Sequence, residues 1–345
     1  MNIGIIDAEI IGKKKHRFPN LACMKIASYN IKKGNNVKLI MSYDDICNYD
    51  LVYISKVFTD TFVPEYALKF ENVMYGGTGF YYDKATPLPY EIEHSKPYYD
   101  LYKDWVYENI ENGINKKEFK YYLDYSIGFL TRGCFRQCAF CVNKNYTKCN
   151  KHSPIEEFID TNRPKLCFLD DNFFACSEWR QIIDSIKNTK KGFQFKQGLD
   201  ERLLNEEKIH ELMSWKYDGD FIFAFDNIED SETIQSKLDL FKALYPKSKR
   251  KNKFYVFCGF DINGVYDEDF WIKDLENLFK RIFILAKYGA LPYVMRFEKT
   301  HSSSHKKIYN AIAGWCNQPS IFRKFSFAMF CRCHGMGKLY TKMIS

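Results

Sequence analysis

The chain has 345 residues, 46% hydrophobic and 27% charged, with a formal net charge of +8. That length holds one large domain and a smaller one with ample core, and no apolar run approaches the roughly 20 residues a membrane-spanning helix needs. Twelve cysteines spread through strand-like and helix-like stretches argue against a secreted disulfide scaffold and for reduced thiols.

Residues 1–85 read as a separate small α/β unit. Residues 1–7 are strand-like rather than a charged-then-apolar leader, so a cytoplasmic location is expected. Residues 21–33 carry helical periodicity stopped by Gly34, and 36–41 and 50–55 are further strands. Residues 86–125 read as a linker, with an extended turn at Thr86-Pro87-Leu88-Pro89 and a helix expected around 101–109.

From 126 onward, short β-rich runs alternate with helical stretches, the pattern of a parallel β/α fold. Strands are expected at 126–131, 165–169, 193–197, 220–225, 254–258 and 292–297, within a core of 126–300. Ser153-Pro154-Ile155-Glu156 reads as a capping box opening a helix to about 160, and Ser177, Asn205, Ser231 and Asp267 are each placed to cap a helix. The tail, 301–345, reads as a helical cap with a helix over 306–315 and a phenylalanine-rich segment over 321–330.

Positive charge favours an anionic partner through long-range attraction that salt weakens, so nucleic acid is one possible partner. The two basic runs, Lys13-Lys14-Lys15-His16-Arg17 and Lys247-Ser248-Lys249-Arg250-Lys251-Asn252-Lys253, lie where loops are expected, and solvated loop charge accounts for them.

The most specific feature is Cys134-Phe135-Arg136-Gln137-Cys138-Ala139-Phe140-Cys141. Three thiolates spaced C-x-x-x-C-x-x-C suit a cubane iron-sulfur cluster with one unligated iron. The competing reading is structural zinc completed by Cys149 or His152, in a non-catalytic nucleic-acid-binding protein. Paired C-x-x-C knuckles are the commoner zinc pattern, and zinc needs no strand leading in. Cys331, Cys333 and His334, with Cys316, offer a weaker second metal grouping, while Cys149 and Cys176 read either as hydrogen-atom donors or as ordinary buried thiols.

The cysteine loop, the strand before it, Arg132-Gly133 and Phe140 ahead of the last cysteine together resemble the radical S-adenosylmethionine superfamily. The resemblance implies a partial (β/α)6 TIM-like barrel preceded by a Rossmann-like α/β domain. It also implies a 4Fe-4S cluster on Cys134, Cys138 and Cys141, S-adenosylmethionine as cofactor, and a flavodoxin- or ferredoxin-type electron donor. Reductive cleavage of the sulfonium would give a 5'-deoxyadenosyl radical that abstracts hydrogen from a substrate the sequence does not identify. By the same resemblance Phe140 packs near the adenine, Asp170, Asp171 and Asn172 face the methionine amino group, and Gln197, Asp200 and Arg202 lie beside the ribose and methionine carboxylate. A surface salt bridge is the other reading of Arg202. Asp226 would contact ribose or substrate, Gly259 and Asp261 end the fifth strand, where the glycine would let adenine approach the backbone, and Arg296 and Glu298 alternate on the sixth strand toward substrate or solvent.

The N-terminal unit resembles the cobalamin-binding-type domain that precedes many such barrels, which leaves a cobalamin-dependent radical methyltransferase as an alternative. Cobalt-ligating members carry D-x-H-x-x-G after the first strand; this chain has Asp7-Ala8-Glu9-Ile10-Ile11-Gly12. Glutamate substitutes poorly for imidazole; members of that class can bind cobalamin without such a ligand, but the unit is also short, and cobalamin is the less favoured cofactor.

Overall fold

The computed structural model describes residues 1–143, 145–250 and 252–337. Residues 1–137, 141–170 and 176–194 form one compact unit, and 138–140, 171–175 and 195 onward form a second. These units run across the sequence-based boundaries at 85 and 125.

The first unit opens with β1 (Asn2–Asp7), whose residues 3–7 are all buried, and the helix Leu21–Lys32. Asn20 caps that helix by accepting from Cys23 N–H, and Gly34 follows it at φ +80°, a conformation glycine adopts without strain. β2 (Asn36–Leu39), β3 (Leu51–Ser55) and β4 (Val73–Gly76) complete a parallel sheet of order β2-β1-β3-β4. A parallel α/β sheet, as expected for this part of the chain, is thus present.

Residues 86–125 do not behave as a linker. Tyr102, Trp105, Phe119 and Tyr122 share one buried cluster with Ile3 and Ile5 of the first strand and Ala27 of the first helix. Trp105 meets Phe119 edge-on at 5.4 Å, and Tyr102 meets Tyr122 likewise at 5.2 Å. Aromatic burial of this kind contributes roughly 2–3 kcal/mol per side chain. The helix here is Lys103–Glu111.

β5 (Tyr125–Gly128) ends earlier than the sequence suggests, and β6 (Thr131–Arg132) pairs antiparallel with β7 (Asn150–Lys151). β8 (Lys165–Phe168) lies parallel to β5, with β9 (Gly192–Phe195) beside it. The helix Trp179–Asn188 buries Trp179, Ile182, Ile183 and Ile186, the spacing of one helical face. In the second unit β10 (Phe221–Ala224), β11 (Asn252–Cys258) and β12 (Leu291–Arg296) form a parallel sheet in that order, with the helix Glu268–Lys287 between the last two strands.

The six expected strands are therefore present, in two ladders of three, and no barrel closure occurs among the described residues. After β9 the Phe195 N–H donates to the Tyr217 hydroxyl at 3.0 Å, Gly198 turns the chain at φ +98°, and Leu199 makes an isolated parallel bridge to Phe223.

Asn205 and Asp267 cap their helices as expected, accepting from Lys208 N–H and Phe270 N–H. The capping box at Ser153 does not form. Only one 3-10 turn, Ile155–Glu157, follows, because Ile155 and Phe158 are buried and the Phe158 carbonyl accepts from the Tyr99 hydroxyl at 2.7 Å. Ser177 does not cap either: that helix starts at Trp179 without a side-chain cap, and Ser231 is the first residue of its helix, Ser231–Leu244, rather than the residue before it. The tail holds the helix Lys306–Cys316, then the short helices Pro319–Phe322 and Phe327–Cys333.

Candidate functional site

The cysteine loop leaves β6 and returns at β7, so a two-residue ladder closes its neck, with Thr131 opposite Lys151 and Arg132 opposite Asn150. His152 N–H donates to the Leu130 carbonyl at 2.8 Å, extending the closure. Asp170, fully buried just past β8, accepts from Leu130 N–H at 3.2 Å and from both the N–H and hydroxyl of Thr131 at 2.7 Å. A carboxylate taking these three donors out of contact with solvent is a strong anchor. Gly133 has φ +98°, and a side chain there would run into the Lys148 carbonyl and Tyr146, so the first turn of the loop requires glycine.

Cys134, Cys138 and Cys141 are half-buried, whereas Cys23, Cys167, Cys258, Cys316 and Cys331 are buried. The Cys134 sulfur accepts from Arg136 N–H at 3.4 Å, and the Cys141 sulfur accepts from Asn143 N–H at 3.3 Å. This turn, repeated at two thiols, supplies dipoles that stabilise negative sulfur. Gln137, at φ +49°, donates its side-chain amide to the carbonyls of Cys134 and Tyr146. Among the described residues no three His, Cys, Asp or Glu side chains are gathered closely enough to hold a metal ion. The donor set nevertheless fits a cluster: three soft, partly accessible sulfurs on one closed loop.

Beside the loop neck lies an ionic group that sequence reasoning missed. Glu93 pairs with Lys25 at 2.9 Å, Arg132 at 3.3 Å and His152 at 3.1 Å, and Arg132 stacks over the Phe129 ring at 3.3 Å. Burial opposes ionisation of Glu93, but His152, Lys25 and Arg132 outweigh it and hold its carboxyl at about 2. Its members are distant in sequence, so no local motif announces it.

In the second unit Phe140 packs on Phe257 at 4.5 Å and on Phe260 at 6.0 Å, and these rings line a cavity of about 260 Å³. Asp226, Asp261, Asp274 and Arg281 supply polar lining. Arg281, 2% exposed, donates to the carbonyls of Phe225, Asp226 and Phe257 at 2.8–2.9 Å, drawing together the ends of β10 and β11. Asp226 accepts from Phe257 N–H, and Asp274 accepts from Gly259 N–H and the Tyr309 hydroxyl. Burial raises the pKa of both carboxyls, with these hydrogen bonds opposing it.

The other residues expected near a cofactor are dispersed over different tasks. Asn172 donates to Asp200 at 3.1 Å, and Arg202 spans Asp200 at 2.8 Å and Asp230 at 2.7 Å, so its fork is engaged by carboxylates of the chain itself. Asp171 is half-buried, and Gln197 is exposed at a bend. Asp261 accepts from Asn263 and Val265 N–H, ordering its own turn. Arg296 donates to Asn310. Cys331 is buried and Cys333 exposed, and the His334 ring contacts the Phe330 carbonyl at 2.9 Å.

At the N-terminal sheet, Glu9 occupies the position where the cobalamin motif has histidine. It is 2% exposed and accepts from Val57 N–H at 3.0 Å, Phe58 N–H at 3.1 Å and the Thr61 hydroxyl at 2.7 Å. The carboxylate ties the loop after β1 to the loop after β3 and offers no imidazole to cobalt.

Comparison with known protein-family models and with curated proteins finds no match for this chain.

Proposed function

We propose that this chain is a radical S-adenosylmethionine enzyme whose cluster is carried by Cys134, Cys138 and Cys141. The observation that carries the reading is the C-x-x-x-C-x-x-C loop, anchored after the first of six strands, with its three thiols half-buried where the other cysteines of the strand cores are buried. Six strands in two three-stranded ladders, alternating with helices, support the α/β architecture that the resemblance implies.

When bound, the cluster would supply the single electron that cleaves S-adenosylmethionine. The residues of the chain do the rest. Asp170 fixes the strand end from which the loop departs, and the N–H groups of Arg136 and Asn143 stabilise the thiolates. In the second unit the Phe140, Phe257 and Phe260 rings offer apolar faces suited to an adenine, and Asp226 and Asp274 offer acceptors for its amino group or a ribose. A low-potential flavodoxin or ferredoxin would supply the electron, and the substrate remains unspecified.

Anaerobic reconstitution with iron and sulfide, followed by reductant and S-adenosylmethionine, tests the reading. It predicts iron and acid-labile sulfide in near-equal amounts and 5'-deoxyadenosine as product. Zinc without a chromophore, together with salt-sensitive nucleic-acid binding, would favour the zinc alternative. Bound corrinoid with methyl transfer would favour the methyltransferase, against the engagement of Glu9 by the β3 loop.

A further inference from the structure

The N-terminal sheet has two edges, and they are guarded differently. β2 turns Asn36 and Lys38 to solvent, and a charged side chain on an edge strand discourages further pairing. β4, the other edge, lies in an uncharged run: residues 72–82 hold no Asp, Glu, Lys or Arg in a chain that is 27% charged. Met74 is 57% exposed on this edge and Tyr75 41%.

The outward backbone groups of β4 follow from its bonds to β3. Val52 N–H donates to the Asn72 carbonyl at 2.8 Å and Lys56 N–H to the Gly76 carbonyl at 3.1 Å, so the carbonyls of 72, 74 and 76 face β3. The Val73 carbonyl, the N–H and carbonyl of Tyr75 and the Gly77 N–H therefore point away from the sheet, and none of the four has a partner among the described residues. Val73 and Tyr75 share the face of Val52 and Ile54, where the Tyr75 ring packs on Phe80 at 5.0 Å and Tyr81 at 6.1 Å. Met74 points to the opposite face.

We propose that β4 is a homodimer interface, pairing antiparallel with β4 of a second copy about a two-fold axis at Tyr75 and joining the two sheets into one. The inference does not depend on the radical S-adenosylmethionine reading. In this register Tyr75 exchanges two N–H···O bonds with the second copy's Tyr75, and each Val73 carbonyl accepts from the other copy's Gly77 N–H. Met74 falls opposite Gly76, where an added Cβ would meet nothing, so the glycine leaves room for the methionine. The two Tyr75 side chains form a cross-strand aromatic pair on the other face. Charge fits the same axis. Glu71, exposed just before β4, falls level with the second copy's Gly79, and Gly79 lies against the Lys56 side chain. The two-fold thus sets each Glu71 beside the other copy's Lys56, and this repeated match favours a second copy over an unrelated strand.

Sedimentation of the full-length chain from about 1 to about 100 µM tests the proposal, under reductant so that the exposed Cys47 and Cys333 form no disulfide. The expected result is a species of twice 41.0 kDa that grows with concentration, together with slowed hydrogen exchange in the peptide spanning 73–77. Met74→Lys, which puts charge on the edge, and Tyr75→Pro, which removes an outward donor that β3 does not use, should each weaken dimerisation about tenfold or more. Lys38→Ala, on β2, should leave it unchanged. The charge match is tested without altering the strand: Glu71→Lys should weaken the dimer about tenfold, and adding Lys56→Glu should restore it. A monomer at every concentration would overturn the proposal, whatever else binds the edge. So would a dimer that survives both Met74→Lys and Tyr75→Pro, one weakened equally by Lys38→Ala, or a charge swap that fails to restore it in chains of native circular dichroism.

Discussion

Two loop ends in the first unit are held by the same device and put to opposite use. Glu9 and Asp170 are both buried carboxylates that each accept two backbone N–H groups and one threonine hydroxyl. Glu9 reaches from the loop after β1 to the loop after β3 and draws them together. Asp170 reaches from the end of β8 to the strand end that launches the cysteine loop, which it holds at the neck while leaving the thiols half-buried. A buried carboxylate thus closes one loop end and presents another. What differs is the loop it holds: the loop after β3 brings no soft donor, and the one after β6 brings Cys134, Cys138 and Cys141 half-buried, with buried Cys149 at its exit.

The comparison predicts unequal consequences. Asp170→Ala should be the most damaging, because its donors belong to Leu130 and Thr131, which are 2% and 0% exposed, and water cannot replace the lost acceptor. A cost of roughly 3–5 kcal/mol in denaturant unfolding is expected, with loss of iron incorporation. Glu9→Ala should cost less, about 1–2 kcal/mol, since Val57 and Phe58 are 40% and 55% exposed and their N–H groups can be rehydrated. Equal costs would break the distinction between the two anchors.

Stability against pH sharpens it further. Glu93, beside the loop neck, has its carboxyl lowered from 4.5 to about 2. It therefore contributes stability that is fully present above about 4.5 and lost as pH falls toward 2, on the order of 3 kcal/mol. Glu93→Gln should flatten that acid limb. Asp7, beside Glu9, is shifted the other way: burial raises its carboxyl from 3.8 to about 6, against hydrogen bonds from the Tyr102 hydroxyl and Glu9 N–H. Its contribution is fully present below about 3.8 and lost as pH rises through 6, so Asp7→Asn should help stability more at pH 8 than at pH 4. Parallel pH profiles for the two variants would contradict these assignments.

The smallest effects concern single hydroxyls. Thr131→Val and Thr61→Val each remove one donor from a buried carboxylate, and each should cost about 1 kcal/mol, with Thr61 the milder because it is partly exposed.

What the sequence disclosed follows from distance along the chain. The cysteine loop, the caps Asn205 and Asp267 and the six strands rest on local spacing, and local spacing can be read. The roles of Glu9 and Asp170 depend on groups 48 and 40 residues away, so Asp170 looked like a cofactor ligand and Glu9 like a failed one. For Arg202 the sequence left both a cofactor carboxylate and a salt bridge open, because Asp230, 28 residues on, could not be foreseen as its partner. Residues 86–125 looked like a linker because their charges mask the aromatic side chains that fill the first core; the pairs Tyr102 with Trp105 and Phe119 with Tyr122, each at helical spacing, were the available signal.

The central claim is that Cys134, Cys138 and Cys141 hold a cluster that cleaves S-adenosylmethionine. Its most direct test is 5'-deoxyadenosine formation by the anaerobically reconstituted, reduced protein, measured beside Cys138→Ala. The account predicts product from the native chain and its loss, with loss of bound iron, in the variant. Undiminished product from Cys138→Ala, or none from a native chain with its full complement of iron and sulfide, would contradict it.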